Sequence, residues 1–438
     1  MLAQLGGRLP LKVFSYTICA WGGAWIVYYA FQECRRTFAL RSRQRRFPLP
    51  RRTAENDAAW FGQANAQERK NIVGRFSPLK FLGRYLNVTP EWREQGLWEW
   101  MWWKVVHALI WNDGFGFDGG FSADTKTEEG RKRIETLLPV EPVDMAKLFG
   151  APPEGSTYTW LGQSTCLIRM HGVTILTDPV FGTQPVKSFL SPVRMRPMPC
   201  TFLDLVRDGV LDIILVSHNH FDHLDLSIIP HVPRTTKWVV SRGMSTLLRK
   251  CGVPMENITE LAWWEEAQLE CTVAHDDTSV TRVVHITGLP ASHWSARTLL
   301  DTNKSLWSSY AVRVNDQSAA LPRASLFFCG DSGYSPDLFR SIGRMYGPFH
   351  LATIPIGSYE PRWHLSLQHM DPLGSVSVAE DIGAAQSFGM HWGTWCMSDE
   401  RWDAPPADLA LALAQKKLPC SYVKTVPLGQ IQHVPLGA

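Results

Sequence analysis

Short apolar runs rich in β-branched residues and bounded by polar ones mark much of the C-terminal part of the chain as strand-forming. LDIILVS (211–217) reads as a buried strand whose end enters a loop, and RVVHITGLPASHW (282–294), SLFFCGDSGY (325–334) and AAQSFGMHWGTW (384–395) each lead out of an apolar run in the same way. A helix is predicted over GSVSVAEDIGA, opened by Asp371 as N-cap and Pro372 at the first helical position. Near the N-terminus, VFSYTICAWGGAWIVYYAFQ (13–32) runs 20 residues without a charge, enough for a helix to cross a hydrocarbon core of about 30 Å. EWREQGLWEWMWWKVVHALIW (91–111) predicts an aromatic helix. In it Trp98 and Trp102 share one face, as do Trp103, Val106 and Ile110.

The strand ends carry the chemistry. SHNHFDHLDL (217–226) crowds His218, His220, Asp222 and His223 into six positions, where a merely solvated turn is the blander reading. His-x-His sets two imidazoles on one side of an extended segment, able to close on one ion, whereas Asp222 and His223 must turn toward a different point. That geometry suggests two metals. Further ligands stand just past the other predicted strands as His293, Asp331 and His391. His107, His231, His275, His350 and His433 have no such placement, and His285 alternates within a strand-like run as a core or surface residue.

HNHFDH, followed in order by GLPASHW, FFCGDSGY and GMHWGTW, resembles the metallo-β-lactamase superfamily. WLGQST (160–165), LTDPVF (176–181), SHWSARTLLDTNKSLWSSY (292–310), IPIGSYEPRW (354–363) and LQHMDP (367–372) are similar to its N-acylphosphatidylethanolamine-hydrolysing phospholipase D branch. The likeness covers roughly residues 85–435. Many superfamily members have His where Gln163 stands, so no metal role is carried to that position.

The resemblance implies an α/β fold, the αββα sandwich, over residues 91–438, with two Zn²⁺ per chain. His218, His220 and His293 would hold one zinc, Asp222, His223 and His391 the other, and Asp331 would bridge them. Asp222 and Asp331 thus enter the catalytic set. The implied reaction hydrolyses N-acylphosphatidylethanolamine to N-acylethanolamine and phosphatidic acid by attack of a metal-bridging hydroxide on phosphorus, without a covalent intermediate. No histidine here begins the H-x-K motif of nucleophile-based phospholipases D. By its position just past a predicted strand, Asp178 is either a turn residue or the acceptor for the other N–H of a ligand imidazole. Gln368 and His369 on a loop, and Tyr359 more weakly, would face substrate. Competing readings are another hydrolase of this fold, such as a lactonase, soluble phosphodiesterase or nuclease, and a non-catalytic membrane scaffold.

Composition adds a location. The 438 residues, 45% apolar and 19% charged, suffice for a sizeable core. Nine scattered cysteines without a C-x-x-C pair read as reduced thiols. The net charge of +3 conceals 15 Lys or Arg against four Asp or Glu in residues 1–90, leaving 29 basic and 37 acidic residues beyond. ECRRTFALRSRQRRFPLPRR (33–52) alone holds eight arginines. Residues 1–90 are therefore read as a membrane anchor, helix about 13–32, with a basic linker that becomes polar over 53–90; a mitochondrial presequence competes, because residues 1–32 hold Arg8 and Lys12 and no acid. The Arg-rich tract beside an apolar stretch points to anionic lipid and not to nucleic acid. The positive-inside rule would keep the hydrolase domain on the matrix or cytoplasmic side of a mitochondrial inner or endoplasmic reticulum membrane. The Trp-rich segment 92–111 is a second bilayer contact or a packed helix, and a homodimer stays open.

Overall fold

A computed structural model describes residues 8–435 except 54, 55, 58, 96, 107–118, 151–154, 189, 190, 209, 210, 276, 277, 299 and 317–323. Its strands are β1 (Leu79–Phe81), β2 (Arg84–Leu86), β3 (Ser156–Gly162), β4 (Thr165–Met170), β5 (Val173–Thr177), β6 (Ile213–Val216), β7 (Lys237–Ser241), β8 (Ile258–Leu261), β9 (Glu266–His275), β10 (Thr278–Leu289), β11 (Ser309–Asp316), β12 (Ala324–Phe328), β13 (Phe349–Pro355), β14 (Ala384–Met390), β15 (Val423–Lys424) and β16 (Ile431–Val434). The helices are α1 (Arg8–Arg46), α2 (Ala66–Arg75), α3 (Leu97–Val106), α4 (Phe121–Lys126), α5 (Glu128–Leu137), α6 (Met145–Phe149), α7 (Phe202–Asp208), α8 (Ser245–Lys250), α9 (Pro336–Tyr346), α10 (Arg362–Leu365), α11 (Pro372–Ile382) and α12 (Ala404–Gln415).

Two seven-stranded sheets, in the orders β16-β3-β4-β5-β6-β7-β8 and β15-β14-β13-β12-β11-β10-β9, form the two inner layers. Alternation along β6 shows why both faces are buried. Ile213 and Leu215 join the central core between the sheets, while Ile214 and Val216 join a second cluster under α6, α7 and α8. Tyr158 on β3 stacks on Phe388 on β14 with centroids 4.1 Å apart, locking sheet to sheet. Helices α9, α11 and α12 cover the outer face of the second sheet, contributing Leu338, Val376 and Leu409 to the same core. This is the αββα sandwich.

Parallel pairing of β5, β6 and β7, and of β12, β13 and β14, aims their C-terminal ends at one rim of the sandwich. The loops that leave β6, β10, β12 and β14 carry the expected ligands. Asp371 caps α11, its Oδ1 accepting from the Gly374 N–H at 2.8 Å, as the Asp-Pro pair predicts.

The N-terminal region differs from expectation. The uncharged stretch lies within α1, yet among the described residues no helix is long and apolar enough to cross a membrane. Three tyrosines, two tryptophans and the Gly22–Gly23 pair dilute the apolarity of residues 13–32. The second half of α1 is also committed to the sandwich. Gln32 and Arg36 are buried, Leu40 joins the core, and the Arg36 guanidinium donates to the carbonyls of Thr89 and Trp92. The membrane-spanning expectation, and the sidedness inferred from it, thus find no support among the described residues. Residues read as a polar linker are packed as well, since Ile72, Phe76, Tyr85 and Val88 belong to the central core. The Trp-rich segment divides: Trp103 is buried, its Nε1 donating to Asp399 at 2.9 Å, while Trp102 is 63% exposed. The Trp98 side chain and residues 107–111 lie outside the described residues.

Candidate active site

Seven side chains converge at the rim. Nε2 of His218 lies 2.8 Å from Nδ1 of His220, which is 3.3 Å from Nε2 of His293. Beside this trio, Nε2 of His223 is 3.4 Å from Oδ2 of Asp222 and 3.0 Å from Oδ2 of Asp331, and Nε2 of His391 is 3.4 and 3.2 Å from the same two oxygens. Oδ2 of Asp331 is also 3.7 Å from Nε2 of His293, so this carboxylate faces both groups. All seven metal-ligand expectations are thus brought together, including the two assigned to catalysis.

These residues fit metal ions. Ligand atoms held at about 2.0–2.1 Å around a tetrahedral ion are themselves roughly 3.3 Å apart, close to the separations here. Nε2 of His223, both ring nitrogens of His391 and Oδ1 of Asp331 are buried without a hydrogen-bond partner, an expensive arrangement unless a cation uses them. The groups His218–His220–His293 and Asp222–His223–Asp331–His391 each gather their ligand atoms within 4.8 Å.

The surrounding hydrogen bonds set the tautomers. Asp178 is fully buried, and its Oδ2 accepts from Nδ1 of His223 and Oγ of Ser217, both at 2.6 Å, while Oδ1 accepts from the Ser217 N–H at 2.7 Å. Oγ of Ser217 then accepts from Nδ1 of His218 at 2.9 Å. Nδ1 of His293 donates to the carbonyl of Gln368 at 3.0 Å. Each of these three rings keeps Nε2 free to face the centre. Gly330, at φ 60°, allows the close approach behind Asp331, because a Cβ there would meet Cβ of Ser217 at 2.7 Å. Gln163, Asp178 and His391 also adopt positive φ, at 51°, 34° and 60°, a concentration of backbone strain at one site.

Electrostatics divides the site. Burial lowers His218, and lowers His220 to about 4 and His293 to about 3, so this trio presents neutral imidazoles. Burial works against the charged form of His391 too, but Asp331 and Asp222 outweigh it and raise this histidine to about 9. His223 is raised for the same reason. Asp222 and Asp331 are held well below the usual carboxylate range although burial opposes it, because His223 leads the charges facing them. The carboxylate half thus retains positive charge where a cation would sit.

His369 stands at the edge, its Nδ1 3.9 Å from Oδ2 of Asp331 and its ring centroid 5.1 Å from that of His293. Gln368 acts through its backbone, as the acceptor for His293, and its side chain reaches toward Gln95. Tyr359 is buried and its hydroxyl donates to Asp408 on α12, so that phenol is engaged by a structural partner. Several site residues were not foreseen. Ser217 sits within the quoted motif. Arg297 donates to the carbonyls of Asn219 and Leu224, at 3.1 and 3.0 Å, and lies over the Phe221 ring, pinning the ligand loop. Asn87 brackets His293, Nδ2 donating to its carbonyl at 2.6 Å and Oδ1 accepting its N–H at 3.2 Å.

Fold and site together define a metal-dependent hydrolase. A family profile described as a beta-lactamase superfamily domain matches residues 173–392. The mitochondrial N-acyl-phosphatidylethanolamine-hydrolyzing phospholipase D of Saccharomyces cerevisiae is 33% identical over 369 residues, covering 78% of this chain and 74% of its own. N-acyl-phosphatidylethanolamine-hydrolyzing phospholipase D 1 of Caenorhabditis elegans is 33% identical over 310 residues, 69% of this chain and 82% of its own. Among solved structures, a metallo hydrolase from Ignicoccus hospitalis overlaps 64% of this chain and 97% of its own at 18% identity with a TM-score of 0.42. The chain belongs to the metallo-β-lactamase superfamily, among the relatives of its N-acylphosphatidylethanolamine-hydrolysing phospholipases D.

Proposed function

We propose that the protein is a zinc-dependent phosphodiesterase holding two metal ions, which hydrolyses N-acylphosphatidylethanolamine to N-acylethanolamine and phosphatidic acid. The observation that carries this reading is Asp331, whose Oδ2 stands 3.0 and 3.2 Å from His223 and His391 and 3.7 Å from His293, in reach of both ligand groups. Histidine nitrogens and carboxylate oxygens without thiolates suit zinc. Two such ions supply an activated water near neutral pH and positive charge against the phosphoryl oxygens. Water adds to phosphorus, the bond from phosphorus to the ethanolamine oxygen breaks, and that oxygen leaves with a proton. Asp178 and Ser217 hold the ligand rings in the required tautomers. His369, at the edge of the cluster, and the Gln368 side chain are the substrate contacts in this reading.

The yeast relative's name includes a mitochondrial location, which supports placing this chain in mitochondria. The test is mass spectrometry of products formed from a mixed glycerophospholipid extract by the purified protein. N-acylethanolamines and phosphatidic acid should appear, and a chelator should abolish both. Release of neither from an extract containing the N-acylated lipid would contradict the proposal.

A further inference from the structure

Helix α1 is two-sided over its second half. Gln32, Arg36 and Leu40 are buried against the sandwich at i, i+4 and i+8. The opposite stripe carries Val27, Phe31 and Phe38, which are 54, 66 and 76% exposed. Between and beyond these apolar residues the stripe bears Arg35, Arg41 and Arg45, all exposed. The acid of α1, Glu33, is paired to Arg36, so nothing on this helix offsets those arginines. From Phe31 to Arg45 the stripe is about 21 Å long.

Helix α3 carries a second exposed apolar face. The Arg36 guanidinium of α1 donates to the Trp92 carbonyl, and the next residue, Arg93, pairs with Glu99 of α3, which ties α3 to α1. Met101, Trp102 and Val105 of α3 are 40, 63 and 41% exposed. Arg93 pairs with Glu99 on α3 at 2.6 Å and donates to the carbonyl of Trp363, itself 48% exposed. From there Gln95 links the His364 carbonyl to Gln368, next to His369 at the ligand cluster.

We propose that the outward stripe of α1, together with the exposed face of α3, is an interfacial docking surface for an anionic lipid bilayer. Phenylalanines and a tryptophan settle at the headgroup boundary while arginines beside them meet lipid phosphates, and α1 lies along the membrane instead of crossing it. The mixture of exposed aromatics and unopposed positive charge selects this occupant over a second copy of the chain, which would set arginine against arginine across a two-fold axis. The proposal deepens the lipid-substrate reading and rests on it for the purpose of docking, but not for the docking itself.

Co-sedimentation of the purified full chain with phosphatidylcholine vesicles, with and without phosphatidylserine and without any N-acylated lipid, tests it. Binding should require phosphatidylserine and weaken with salt. The double variant Phe31→Glu/Phe38→Glu should bind about tenfold or more weakly. Arg35→Gln/Arg41→Gln/Arg45→Gln, which keeps every apolar side chain, should lose about a hundredfold toward the anionic vesicles. All five positions are exposed, so unchanged thermal melts are expected and confirm the fold. Vesicle binding equal to wild type in both variants overturns the proposal. So does a dimer in sedimentation velocity that the phenylalanine variant dissociates while vesicle binding stays intact, since the face would then belong to a second copy. Vesicle binding without turnover of N-acylphosphatidylethanolamine would instead contradict the proposed reaction and leave the docking surface standing.

Discussion

Nε2 of Gln163 donates to Oδ2 of Asp222 at 2.8 Å, and the carbonyl of the same glutamine accepts from the His391 N–H at 3.0 Å. One buried residue in the turn between β3 and β4 thereby orients two ligands of the carboxylate-rich group, 59 and 228 positions further along the chain. Its own backbone is fixed by donation to Oγ1 of Thr394 at 2.6 Å and by acceptance from Nε1 of Trp160 at 2.9 Å.

Gln163→Leu should keep those backbone contacts and leave Asp222 without its donor. Loss of an outer hydrogen bond to a metal ligand typically costs about 10–100-fold in metal affinity or activity. The expected result is normal retention of one zinc and weaker retention of the other on dialysis against a competing chelator. Unchanged affinity for both would show that the amide does not position Asp222.

Asp178→Asn should act on the same group from behind. The amide cannot accept from His223 and both Ser217 donors at once, so one buried donor goes unsatisfied at a cost of about 1–3 kcal/mol. Thermal unfolding of the metal-free protein should fall accordingly, and zinc affinity should drop by about 10–100-fold. A variant with the melting temperature and zinc affinity of wild type would contradict the role given to Asp178.

The pH dependence of metal uptake follows from His391. Its folded value is raised to about 9 from 6.5, so in the metal-free protein its contribution to stability is fully present below about 6.5 and is lost as pH climbs through about 9. Metal must displace that proton, so zinc affinity should increase with pH across this window and level off above it. His220 and His293, lowered to about 4 and 3, carry no proton to displace there. Competition titrations at several pH values check this, and an affinity flat from pH 6.5 to 9 would contradict it.

Strand ends were legible because each ligand follows an apolar run, and a ligand must be polar where the chain leaves the core. HNHFDH, His293, Asp331 and His391 could be read for that reason. Asn87 could not: its partner His293 lies 206 residues away, and nothing in the local pattern of LNVTP announces a clamp on another backbone. Gln163 was hidden similarly, since its value depends on an amide reaching a distant carboxylate. A charge-free stretch such as residues 13–32 likewise does not reveal that Gln32 and Arg36, at and beyond its end, are buried by protein. Tyr359 shows the converse, a loop phenol that looks available but is held by Asp408.

The bridging place of Asp331 is the centre of the account. Asp331→Asn keeps the shape and one carbonyl oxygen but removes the negative charge between the two ligand groups, so that two bound dications would repel each other with less compensation. His218, His220 and His293 still offer three nitrogens to one ion. Elemental analysis of the purified wild type, Asp331→Asn and the exposed control His231→Ala, beside turnover of N-acylphosphatidylethanolamine, is the most direct test. The account predicts two zincs per chain and full turnover for wild type and control, and close to one zinc with turnover reduced by orders of magnitude for the asparagine variant. Two zincs and near-normal turnover in Asp331→Asn would contradict it.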